Sequence, residues 1–195
     1  MLYYIPVIEL PILVVLVLLR ALTLRRQGIK ALVFGVTDKT DFIIIPIVGF
    51  FFYALAAGIF SKGTVRLPFP RLLIQPFWEI PLVYWIAIIL CSVSIVWFTV
   101  TLHIFGKSFR VGIDESTKGQ LITGGTFAVS RNPVYLAFIV FFIGIFLAYS
   151  GICTAVFLVL LAVTIHRQIL REEKFLAGHY GSEYEEYCKK TRRYL

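Results

Sequence analysis

The chain alternates long apolar runs with short basic or glycine-rich intervals, and the length of each run limits what it can form. Apolar stretches cover Leu2 to Leu19, Phe42 to Phe60 and Pro81 to Phe105, each close to the roughly 20 residues a helix needs to cross a bilayer. A further tract from Val134 to Ile165 is too long for one span and is interrupted by Tyr149, Ser150 and Gly151. It predicts two helices joined by a tight turn. The pattern as a whole predicts an all-α integral membrane protein of about five transmembrane helices, the last two a tight hairpin. Residues 1–105 would supply three helices and their loops. Residues 106–195 would supply the hairpin, a C-terminal helix and the polar segments beside them.

Composition explains why these runs cannot be the core of a soluble domain. Of 195 residues, 59% are hydrophobic and 15% charged, which would leave too much apolar surface in water. Lipid is the solvent the sequence asks for. The first run is expected to stay as a membrane helix, because no basic segment precedes it, no small-residue cleavage site follows, and Arg20, Arg25 and Arg26 come after it. Cys91, Cys153 and Cys188 lack paired spacing, which argues against a disulfide framework or a zinc site. His103, His166 and His179 also lack ligand spacing, and no metal is expected.

The basic residues test the five-span scheme and orient it. Arg20, Arg25, Arg26, Lys30 and Lys39 follow the first span, and Lys107, Arg110, Lys118 and Arg131 precede the fourth. Arg167, Arg171, Lys174, Lys189, Lys190, Arg192 and Arg193 follow the fifth, whereas the loop between spans two and three holds only Lys62, Arg66 and Arg71. Because cytoplasmic loops are enriched in lysine and arginine, the C-terminus is expected in the cytosol and the N-terminus outside. The net charge of +8 then reflects topology and contact with anionic lipid. No helix-turn-helix, finger or RNA-binding pattern points to nucleic acid.

Two polar segments on the expected cytosolic face are larger than an anchor requires. One, residues 106–133, is rich in glycine and leads into Ser130-Arg131-Asn132-Pro133-Val134-Tyr135. Glycine admits close approach of a ligand to backbone, Asn132 suits an N-cap, and Pro133 suits the first helical turn. A turn followed by a capped helix would explain the same residues. The other, residues 166–195, continues the fifth span with Arg167, Arg171, Glu172, Glu173, Leu176, Tyr180, Tyr184 and Tyr187 at helical spacings. Its glutamates can accept from a ligand or pair with basic neighbours, and the whole can equally lie at the interface as an amphipathic helix.

Taken together, the two segments resemble the isoprenylcysteine carboxyl methyltransferase family and the related membrane phospholipid methyltransferases. Those proteins have Leu-Val-Thr-x-Gly followed by Arg-His-Pro-x-Tyr, a helical hairpin, paired glutamates and a Phe-Gly-x-x-Tyr-x-x-Tyr tail. The matching residues are Leu121-Ile122-Thr123-Gly124-Gly125, Arg131-Asn132-Pro133-Val134-Tyr135, Glu172-Glu173 and Tyr180-Gly181-Ser182-Glu183-Tyr184-Glu185-Glu186-Tyr187. Order and separations agree across residues 115–190. Asn132 stands where the family has histidine, and Arg192-Arg193-Tyr194-Leu195 lacks the family's final prolines.

The resemblance implies S-adenosylmethionine as methyl donor and the α-carboxylate of a C-terminal isoprenylated cysteine as acceptor. It implies a cytosolic cofactor region made of Gly119, Gln120, Leu121, Ile122, Phe127, Arg131, Asn132, Pro133, Tyr135 and Glu172, with Glu173, Leu176 and Tyr180 as weaker candidates. It also implies that Arg167 and Glu172 serve the transfer, and that Arg167, or Gln168 in the adjacent register, binds the acceptor. A carboxylate is already ionised at neutral pH, so such a transfer requires alignment and exclusion of water but no base or metal. The implied partners are a prenylated cysteine substrate and membrane lipid. The membrane would be the cell membrane of a prokaryote, whose compact members the chain resembles, or the endoplasmic reticulum membrane of a eukaryote. A phospholipid or other lipid methyltransferase is the alternative within the enzyme class. A non-enzymatic scaffold or small transporter is the alternative outside it.

Overall fold

A computed structural model describes residues 2–26, 41–61, 67–106 and 121–195. Regular structure among the described residues is helical throughout. A short 3-10 turn at Leu2–Tyr4 leads into α1 (Ile5–Arg26), α2 (Asp41–Phe60), the one-turn α3 (Arg71–Ile74) and α4 (Pro81–Phe105). They are followed by the short α5 (Thr126–Val129), then α6 (Pro133–Ala148), α7 (Ile152–Tyr180) and α8 (Ser182–Lys190). Three helices, α1, α4 and α7, are long and apolar enough to cross a membrane; α6 and the apolar Pro46–Phe60 part of α2 are shorter. These five correspond to the five runs in the sequence. The fourth and fifth meet at a break over residues 149–151, where Tyr149, Ser150 and Gly151 interrupt the apolar tract.

Two boundaries differ from the sequence pattern. The first helix runs on to Arg26, beyond the apolar run that ends at Leu19, because arginine ends a hydrophobic span without ending a helix. The helical spacing through Tyr187 is broken at Gly181, whose φ of +55° lies in a region that other residues rarely adopt. The chain turns there, and α8 packs back on the segment before α6. Tyr187 is buried and donates to Phe127 O at 2.6 Å. Burial pushes its phenol up to about 12, so it keeps the proton that this bond uses.

The core lies where α4 and α6 pack along their lengths, the most extensive helix contact in the fold. Their approach is close: a Cβ on Gly144 would stand 2.5 Å from Cys91 Sγ and 3.0 Å from Ala87 O. Ser94 Oγ donates to Ala137 O at 2.5 Å and Trp97 Nε1 to Pro133 O at 3.0 Å. Lipid gives helices no hydrophobic reason to associate, so small residues and interhelical hydrogen bonds of this kind hold spans together. Phe98, Phe141 and Ile145 fill the interior, and Phe51 of α2 stacks on Phe157 of α7 with ring centroids 3.6 Å apart. Leu82, Val96 and Val159 instead point outward, each more than half exposed, as lipid-facing side chains do.

The contacts define two ends. At the turn between α6 and α7, Tyr149 donates to Tyr3 O and Gly151 lies against the backbone of residues 73–75. At the opposite end Arg20, late in α1, donates to Gly106 O just past α4. The three long helices α1, α4 and α7 therefore run from the turn end to the open end and α6 runs back, so the open end holds the start of α6 and the polar part of α7.

Candidate functional site

Helix α6 begins at Pro133, whose fixed φ and missing N–H suit the first turn. Asn132 occupies the N-cap position, but its side chain makes no capping bond. Its Nδ2 donates instead to Arg193 O at 3.2 Å and, more weakly, to Glu173 Oε1 at 3.4 Å. Tyr135, one turn into α6, donates from its hydroxyl to Glu172 Oε1 at 2.5 Å. Gln168 and Glu172 are four apart on α7, hence on one face, and Gln168 Nε2 donates to the same Oε1 at 2.9 Å. The stretch 131–135 is thus joined to the stretch 168–173, though they lie nearly 40 residues apart in the chain.

The adjacent glutamates have different surroundings. Consecutive helical residues point about 100° apart, so Glu173 faces away from Tyr135 and toward two guanidinium groups. Arg131 Nη2 lies 3.2 Å from its Oε1, and Arg193 Nη2 and Nε lie 2.7 Å and 3.0 Å from its Oε2. These bonds raise the Arg193 guanidinium further above its ordinary value. Among the described residues Glu172 has neutral donors only, both on Oε1. Arg131 is largely enclosed, and its Nε is a buried donor without a hydrogen-bond partner among the described residues.

The remaining residues expected from the sequence are distributed as follows. Gly119 and Gln120 lie outside the described residues. Leu121 and Ile122 are half-buried in an irregular segment. Phe127 is buried, with its ring edge-on to Phe105 at 4.9 Å. Pro133 is buried at the head of α6. Arg167 is exposed on the same outward stripe of α7 as Val156, Val159, Val163 and Leu170, whereas Gln168 turns inward. Leu176 and Tyr180 are half-buried further along the helix. Arg193 is the residue that sequence reasoning missed. Its basic neighbours read as a topological signal, and nothing local marks its contact with Glu173. A cavity at the turn end, lined by Tyr3, Leu55, Gly58, Tyr149, Cys153 and Thr154 among others, has no charged side chain in its wall among the described residues and lies away from this cluster.

A family model described as phospholipid methyltransferase matches residues 82–183, just over half of the chain, from the start of α4 into α8. The chain belongs to the phospholipid methyltransferase family. The match takes in both sides of the Tyr135–Glu172 contact. Two relatives in rice, from the indica and japonica subspecies, carry the name probable protein-S-isoprenylcysteine O-methyltransferase. Each is 28% identical over 141 residues, covering 71% of this chain and 71% of its own length. They support the isoprenylcysteine-type resemblance seen in the motifs. No solved structure matches. Family and fold together make this phospholipid methyltransferase family member a membrane methyltransferase.

Proposed function

We propose that the protein transfers a methyl group from S-adenosylmethionine to the α-carboxylate of a C-terminal isoprenylated cysteine, at the open end of the α6–α7 hairpin. The observation that carries this reading is the Tyr135–Glu172 hydrogen bond, which joins the two stretches that resemble isoprenylcysteine methyltransferases. The relatives named for that reaction support the choice of acceptor.

The residues fit the methyl donor. Its amino-acid end carries a carboxylate and an ammonium, and the site offers the Arg131 Nε–H, unpaired among the described residues, and the carboxylate of Glu172. Residues that would hold it are Gly119, Gln120, Leu121, Ile122, Phe127, Arg131, Asn132, Pro133, Tyr135 and Glu172, and when bound it supplies an electrophilic methyl group on a sulfonium. Transfer to a carboxylate forms one C–O bond, breaks one C–S bond and moves no proton. The protein must therefore align the reactants and exclude water. Arg167 would meet the acceptor in this reading: it lies on the outward stripe of α7, along which a prenyl chain in the lipid would run, and guanidinium offers a two-donor fork to a carboxylate. In this reading the open end and the C-terminus face the cytosol, where the soluble methyl donor is found.

A second reading, methylation of a phospholipid amine, is favoured by the description of the family model. An amine must lose a proton before it attacks, and Glu172, whose partners are neutral, would accept it better than Glu173, which is held by two guanidinium groups. Radiolabelled S-adenosylmethionine, supplied in detergent with a farnesylated cysteine analogue beside phosphatidylethanolamine, separates the two. Label is expected in the cysteine analogue. Label in phosphatidylethanolamine alone would replace the first reading with the second.

A further inference from the structure

The last residues of the chain run back across the open end of the hairpin, and their contacts fall on the stretch that leads into α6. Arg192 O accepts from Arg131 N at 3.0 Å. Arg193 O accepts from Ser130 Oγ at 3.3 Å and from Asn132 Nδ2 at 3.2 Å. Just before them, Tyr187 holds Phe127 O. Beyond them the Tyr194 hydroxyl lies 2.7 Å from His166 Nδ1 on α7. The strap so formed joins the start of α6 to the polar part of α7. Arg193 ties the strap through backbone and side chain together: its carbonyl accepts from Ser130 and Asn132, and its guanidinium places two donors on Glu173 Oε2.

Resting on the methyl-transfer reading above, we propose that Arg193 is a positioning residue of the methyl-donor site, fixing Arg131 and Asn132 through Glu173 and through its own carbonyl. Each Glu173 oxygen has a separate task. Oε2 is taken by Arg193, while Oε1 faces Arg131 and Asn132. Removing the Arg193 side chain frees the carboxylate to rotate toward Arg131 as a two-oxygen partner. Such a pairing would draw the guanidinium, with its Nε–H, away from the ligand. The peptide carbonyl of residue 193 would also lose the side-chain anchor that holds it over Asn132. Charge-assisted bonds set geometry more firmly than neutral ones, and a small misplacement of a binding group is costly to a preorganised site.

Isothermal titration of S-adenosylhomocysteine into the full-length protein in detergent, with thermal unfolding recorded on the same samples, tests this. The variants are Arg193→Ala, Arg193→Lys and Lys190→Ala. Lys190 is exposed at the end of α8, and its loss removes the same charge from the same end of the molecule. Lys190→Ala is expected to bind as wild type does, and Arg193→Ala about tenfold more weakly at temperatures where it is folded. Arg193→Lys should recover most of the loss, since an ammonium still reaches Oε2. In turnover, Arg193→Ala should raise KM for S-adenosylmethionine and leave kcat within about twofold, as expected when binding alone is weakened. Wild-type affinity in Arg193→Ala with a lowered unfolding temperature would reduce the residue to a structural pin and overturn the proposal. Equal losses in Lys190→Ala and Arg193→Ala would overturn it in favour of net charge. If Arg193→Ala does not fold, Arg193→Lys is read alone: binding two- to threefold weaker supports the proposal and unchanged binding overturns it. Failure of the wild type to bind S-adenosylhomocysteine would instead remove the methyl-transfer reading itself, and this proposal with it.

Discussion

The α6–α7 hairpin is tied together differently at its two ends. At the turn end neutral groups bond to backbone carbonyls: Phe77 N donates to Ser150 O at 2.7 Å, Trp78 Nε1 to Leu147 O at 3.0 Å, and Thr154 Oγ1 to Tyr149 O at 2.6 Å. The rings of Tyr3 and Tyr149 and those of Trp78 and Phe146 pack edge-on beside them. These are the bonds a chain in lipid must make, since backbone groups left unpaired there cost several kcal/mol. At the open end side chains bond to side chains, through Tyr135, Gln168, Glu172, Glu173, Arg131 and Arg193. A helix start needs none of this, and Asn132 does not use its side chain to cap the helix it precedes. The difference separates a scaffold, which only has to satisfy its backbone, from a region that keeps charged groups near the membrane at a cost.

Substitutions at each end should break different properties. The largest effect is expected from Arg167→Ala. Loss of a charge-assisted contact with the acceptor should lower methyl transfer by roughly thirty- to a thousandfold, about 2–4 kcal/mol, with S-adenosylhomocysteine binding nearly intact. Arg167→Lys should restore little, because an ammonium lacks the planar fork. Single-turnover rates with a farnesylated cysteine analogue check this. Full activity in Arg167→Lys, or a larger defect in Gln168→Ala, would move the acceptor site by one residue. Tyr135→Phe removes only the hydroxyl that reaches Glu172, and S-adenosylhomocysteine affinity is expected to fall about tenfold, on the order of 1.5 kcal/mol. The smallest effect belongs to the turn end. Trp78→Phe deletes the bond to Leu147 O and should cost about 1 kcal/mol of stability, seen as a lower unfolding temperature with unchanged ligand affinity. A loss of affinity in Trp78→Phe comparable to that in Tyr135→Phe would erase the distinction between the ends.

The spans were legible because lipid makes the apolar run itself the signal. The run Pro81 to Phe105 became α4, and Tyr149-Ser150-Gly151 marked the hairpin turn. Gly181 was harder to place, since a glycine at a helical spacing does not announce a positive φ. In the candidate site, the sequence pointed to Tyr135 and Glu172 on opposite sides of the hairpin, and the structure brings them together. It offered Glu172 and Glu173 as a pair, whereas the helix turns them to different neighbours. The Arg193–Glu173 contact left no trace in the sequence, because it depends on the chain reversing after α8. No periodicity encodes that reversal. Arg167 and Gln168 were adjacent alternatives in the sequence, and the helix points them about 100° apart: Arg167 toward the exposed stripe and Gln168 toward Glu172.

The most direct measurement is calorimetric titration of S-adenosylhomocysteine into Tyr135→Ala and Glu172→Ala, each beside the wild type in the same detergent. The open end of the hairpin is the methyl-donor site if both variants stay folded and both lose most of the wild-type affinity. Near-normal affinity in both would contradict that assignment, and would leave the Tyr135–Glu172 bond as one more tie between two spans.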